Sequence, residues 1–120
     1  MFAFARNALF KSNFRSALEA AKKNPLNVQK EIASYVFSHL RDPLKNGATE
    51  AEWRGIGLAA AQNRQGLTAQ GNRSESNPEY ARFALLESAV FVLFMDDERL
   101  KKTVHSELFQ WFESLGVGRG

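Results

Sequence analysis

Apolar residues recur along this chain at helical spacing and almost nowhere in strict alternation. At about 100° per residue, Ala3, Phe10, Phe14, Ala17 and Ala21 share one face of a first helix, and Lys11, Arg15 and Lys22 form a neighbouring stripe. Asn24-Pro25 ends it. A second helix begins near Asn27, with Val28, Ile32, Tyr35, Val36, His39 and Leu40 on one side and Lys30, Glu31, Ser34, Ser38 and Arg41 opposite. It is expected to stop before Asp42-Pro43, because the residue preceding a proline is steered out of helical geometry. The stretch from Asp42 to Ala48, with Pro43 and Asn46-Gly47, carries turn chemistry.

Thr49 followed by Glu52 is a capping box, in which hydroxyl and carboxylate satisfy the orphan amides of a helix start. The helix it opens presents Trp53, Ile56, Gly57 and Ala60 inward and is expected to reach about Arg64 or Gln65, with Gly66 as a left-handed terminator. Residues 66–77, polar apart from Leu67 and Ala69, read as an exposed, mobile loop. Asn77-Pro78-Glu79 then supplies a cap, a proline at the first helical position and a carboxylate near the positive end of the dipole. The helix that follows, about 78–95, is apolar almost all round from Phe83 to Phe94, which predicts a central element surrounded by the others. Asp96, Asp97 and Glu98 open a last helix. Its stripe is Leu100, Val104, Leu108, Trp111, Phe112 and Leu115; Gly116 closes it, and 117–120 read as a tail.

No segment alternates with a period of two, and no internal repeat is visible. The expectation is an all-α, single-domain bundle, residues 1–120, of about five helices around the central helix. With 120 residues, 44% of them hydrophobic, such a domain buries roughly two-thirds of its unfolded surface and needs no staples. The chain has no cysteine. That excludes a disulfide scaffold, thiolate metal sites and a cysteine nucleophile, and it fits a reducing compartment, for which the cytoplasm is the expectation.

Arg6, Asn7, Lys11 and Asn13 interrupt what a secretory signal would need as a continuous apolar stretch. The acid-poor, basic start is similar to an organelle transit peptide, but the apolar pattern runs on through Ala17, Leu18 and Ala21 without a boundary, so it is read as part of the fold. Phe83 to Met95, the longest apolar stretch, holds Glu87 and Ser88 and falls short of the ~18–20 residues of a membrane span.

Charge changes the picture more than composition does. The formal net charge is +3, yet the first thirty residues carry +5 and the other ninety carry −2. Four of the ten phenylalanines, Phe2, Phe4, Phe10 and Phe14, share that cationic end. The candidate contact residues are therefore Phe4, Lys11, Arg15 and Lys22, with Arg64 and Arg73 able to assist. Phe2 and Phe4 diverge from the Phe10–Phe14 face and suggest a partner surface that a second copy, forming a homodimer, could fill. Nucleic acid and an anionic membrane surface are the alternatives. No helix-turn-helix pattern, RNA-binding aromatic motif or zinc-finger spacing favours the first of these.

Catalytic chemistry is sparse. Glu87 has Tyr80, Phe83, Val90, Phe91 and Phe94 as its helical neighbours, an environment in which a carboxylate is poorly solvated. It is a candidate general acid/base or carboxylate ligand, and otherwise the partner of a Lys, Arg or His at the rim of the bundle. His39 and His105, both near apolar faces, could meet it. There is no HExxH, neither histidine has a glutamate three residues before it, and no metal or cofactor is expected. Ser38-His39 and His105-Ser106 point apart on their helices, and Gly55-Ile56-Gly57 lacks the third glycine and the Lys-Ser/Thr pair of a phosphate loop. The glycines instead allow close helix packing.

The reading is thus a small helical interaction or regulatory module without catalytic activity, such as a bacterial regulator, adaptor or immunity-type partner. It would act through the first helix and the 66–77 loop. The alternative is a bundle enzyme or small-ligand binder using Glu87 with His39 and His105.

Overall fold

The computed structural model describes residues 2–71, 77–95 and 97–118, with side chains from Leu9 onward. It is an all-α bundle. The helices are α1 (Phe2–Lys22), α2 (Leu26–Asn46), α3 (Glu50–Ala69), α4 (Pro78–Leu93) and α5 (Glu98–Ser114), and there is no strand among the described residues.

Helix starts lie where capping chemistry places them. Thr49 Oγ1 accepts from the Glu52 amide at 3.1 Å while the Thr49 amide donates to Glu52 Oε1 at 3.3 Å, a complete capping box on α3. Asn77 Oδ1 accepts from the Glu79 amide on α4, and Asp97 Oδ1 accepts from the Leu100 amide on α5. The tight connection from α1 to α2 is held differently. Gln29 Nε2 donates to the carbonyls of Lys22 and Asn24, and Gln29 Oε1 accepts from Trp111 Nε1 at 3.1 Å, which ties this turn to α5.

Helix ends depart from expectation at two places. α2 continues through Pro43 to Asn46 and ends at Gly47, φ +77. Pro43 has no N–H for the His39 carbonyl, but the lost bond is offset by Leu44, which packs against the core from the extra turn. α3 likewise runs through Gly66, which has no positive φ, to Ala69. The Gln70 amide closes it onto the Gly66 and Leu67 carbonyls, and the left-handed position falls on Gly71, φ +80. Leu67 is half-buried on the same inward arc as Trp53 and Ala60, so burial favours the added turn. Residues 66–69 are therefore helix and not loop, and 72–76 of the expected loop lie outside the described residues.

The segment read as a tail is also packed where it is described. Val117 rests on the core and donates its amide to the Phe112 carbonyl, and at Gly118, φ +86, an added Cβ would lie 2.9 Å from the Phe37 ring.

α4 is central. It touches each of the other four helices, and Leu85, Leu86, Ala89, Val90 and Val92 are all but completely buried. Around it pack Phe14 and Leu18 from α1, Ile32, Val36 and Leu40 from α2, Trp53 and Ala60 from α3, and Val104, Leu108 and Phe112 from α5. Each fully buried side chain of this kind contributes about 1.5–3 kcal/mol. Gly57 brings α3 close to α4: a Cβ there would sit 3.2 Å from Val90 Cγ1.

Candidate functional site

α1 and α3 flank one side of α4 and leave a cleft between them. Its floor is the Tyr80, Ala84, Glu87 and Phe91 stripe of α4, its walls are Phe10, Asn13 and Ala17 from α1 and Arg64 from α3, and its volume is about 410 Å³. Stacking of Phe10 on Phe91, ring centroids 5.8 Å apart, closes one end.

The charged centre of the cleft is an ion pair. Arg64 Nε donates to Glu87 Oε1 at 2.7 Å, and Arg64 Nη2 makes a longer contact of 3.4 Å with Oε2. The two side chains are only 27% and 18% exposed. The hydrogen bond to Glu87 pushes the Arg64 guanidinium above its ordinary range; burial opposes this, and Tyr80 adds in the upward direction. A guanidinium held this way is charge-neutralised and oriented by Glu87. Arg64, expected to assist an anionic partner from the surface, is instead committed to this internal bridge.

The proposed meeting of Glu87 with the two histidines does not occur. His39 is exposed, its Nδ1 2.9 Å from the Tyr35 carbonyl oxygen, and its ring lies against that of Tyr35 at 4.3 Å. His105 is exposed and stacks on Phe109. The buried arc of α2 is Ile32, Ala33, Val36 and Leu40, narrower than the apolar stripe of the sequence, and His39 falls outside it. On α5, His105 follows the buried Val104 and so faces about 100° away from it. Neither histidine lines the cleft, and no group of three or more His, Cys, Asp or Glu side chains converges among the described residues.

The basic stripe of α1 lies along the edge where that helix leaves the core. Lys11 is half-buried, and Arg15 and Lys22 are exposed. Arg15 Nη2 is 3.7 Å from Glu107 Oε1 on α5, a solvent-screened contact that contributes little to stability. On the outward face of α1, Leu9 is 58% exposed. The Phe4 side chain and Arg73 lie outside the described residues.

Two features escaped the sequence reading. Arg64 is four residues beyond the buried Ala60 and eleven beyond Trp53, so a helical wheel already places it on the inward face, and that signal was legible. The other, Arg82 against the rings of Tyr35 and Phe83, joins α2 to α4 and has no local signature. Comparison with protein-family models, with curated proteins and with solved structures finds no match to this chain.

Proposed function

We propose that this chain is a small helical interaction module without catalytic activity, which uses the basic edge of α1 to contact an acidic protein surface. The observation that carries the reading is the placement of Lys11, Arg15 and Lys22 along one rim of α1, where, among the described residues, the one ion pair they make is the long Arg15–Glu107 contact. The engagement of Glu87 by Arg64 supports the same conclusion, since that carboxylate serves as an internal bridge. A regulatory or adaptor role in the cytoplasm of a bacterium fits a cysteine-free chain, in which no helix among the described residues is long and apolar enough to cross a membrane.

Charge reversal tests it. Lys11→Glu, Arg15→Glu and Lys22→Glu together leave the thermal midpoint nearly unchanged, because these groups sit at the rim, and abolish a salt-sensitive association. The tagged chain and the triple variant are used in parallel to capture partners at low salt from the organism that encodes them, with and without nuclease. A protein held by the unmodified chain, released by salt and missed by the variant supports the reading. Equal capture by the variant overturns it, and so does retention that vanishes with nuclease and falls steeply across a salt series, which would mark a nucleic-acid binder.

A further inference from the structure

One row of the central helix is left partly open. Tyr80, Ala84, Glu87, Ser88 and Phe91 recur along α4 at helical spacing, and each is only half-buried. The reason lies in the neighbours: α1 and α3 both pack along α4, one on either side of this row, and among the described residues no packed interface joins them to each other. The 410 Å³ cleft that results is at the small end of the roughly 300–1,000 Å³ of small-molecule sites. Phe10, Ala17, Ala84 and Phe91 give it apolar walls, and the Arg64–Glu87 pair gives it a polar centre.

That centre has hydrogen-bonding capacity left over. A guanidinium carries five N–H donors and a carboxylate about four acceptor positions. The pair uses Nε with Oε1 at 2.7 Å and, loosely, Nη2 with Oε2 at 3.4 Å. Even with the Tyr80 hydroxyl as a further acceptor beside the guanidinium, donors remain on Arg64 and acceptor positions on Glu87. Both side chains line the cleft and keep part of their surface exposed, so a molecule entering it can reach them. Charge then selects the ligand. A cation that meets Glu87 also meets Arg64, and an anion that meets Arg64 also meets Glu87, so either loses hydration for little net attraction. A neutral group that both accepts and donates gains from each partner. We infer that the cleft binds a small neutral molecule with a ring-sized apolar body and a carboxamide head, its C=O accepting from Arg64, its N–H donating to Glu87 and its body against Phe10 and Phe91. Lys11, Arg15 and Lys22 do not line the cleft, so this site stands or falls independently of the α1 edge.

The test is an NMR titration of the full chain with benzamide and, at the same pH and ionic strength, with benzoate and benzylamine, which share the ring and carry a charged head. Saturable shifts of the Ala17, Tyr80, Ala84 and Ser88 backbone amides are expected, with benzamide the tightest of the three. Arg64→Met combined with Glu87→Leu removes the polar centre and weakens benzamide about tenfold, the equivalent of one hydrogen bond to a charged group. Ala84→Leu leaves the ion pair in place but fills the floor of the cleft, and binding is lost. Either variant decides alone if the other does not fold. Absence of saturation, shifts that miss the cleft, a charged probe binding as tightly as benzamide, or unchanged benzamide affinity in a folded variant overturns the inference.

Discussion

Glu87 and Arg64 show how much one contact sets the character of a site. The carboxylate sits among aromatic side chains at 18% exposure, where an unpaired charge would be costly, and the 2.7 Å bond from Arg64 Nε removes that difficulty. Removing one partner should therefore hurt more than removing both. Glu87→Leu leaves the guanidinium half-buried without its acceptor, and Arg64→Met leaves the carboxylate without its donor; each lowers stability by about 1–3 kcal/mol, the lower part of that range reflecting the solvent that still reaches the rim. Pairing Arg64→Met with Glu87→Leu recovers most of the loss. Urea unfolding of the four proteins in a double-mutant cycle measures the coupling, and single variants as stable as the unmodified chain would show that the bridge contributes nothing. The unusual setting of Glu87 was legible from its neighbours four and seven residues away, all on one helix. Its partner, 23 residues away on α3, was not, because local spacing says nothing of which faces come to oppose each other.

At the scale of the element, helix starts were easier to read than helix ends. Thr49, Asn77 and Asp97 each make a directed bond to an orphan amide, so the residue type and its place in the chain specify the cap. Gly66 and Pro43 carry weaker instructions. Glycine permits a left-handed terminator without requiring one, and a proline near a helix end forfeits one bond that burial of Leu44 can offset. Two alanine substitutions separate these effects. Gly66 is helical and has open space at its Cβ position, so Gly66→Ala raises stability by about 0.5–1 kcal/mol; as a left-handed terminator it would have lowered it. Gly57→Ala has the same gain in helix propensity, but its Cβ meets Val90 Cγ1 at 3.2 Å. Val90 is fully buried and stiff at χ1, so it cannot yield, and the substitution lowers stability. Thermal midpoints of the two variants moving in opposite directions would establish both points.

For the whole molecule, the position of α4 has consequences beyond packing. Every other helix buries part of its apolar face against it, so no helix can leave without exposing the centre. Trp53 on α3 and Trp111 on α5 lie on different helices and are both nearly buried, which makes them independent reporters. In Trp53→Phe and Trp111→Phe, the fluorescence of the remaining tryptophan is expected to give the same denaturant midpoint as helical circular dichroism of that variant. Separated midpoints would show that α3 or α5 unfolds as its own unit. Sequence by itself determined the all-α class, the five helices, the capped starts of α3, α4 and α5, the central place of the most apolar helix and the concentration of positive charge at the N-terminal end. These rest on periodicity, capping and composition, which act within one or two turns. Only the tertiary structure decided that Glu87 meets Arg64 while His39 and His105 face outward, that α2 and α3 each gain a turn, and that Arg82 lies over Tyr35 and Phe83. Those outcomes depend on how wide a face each helix buries and on what lies across from it, which is settled by packing around α4.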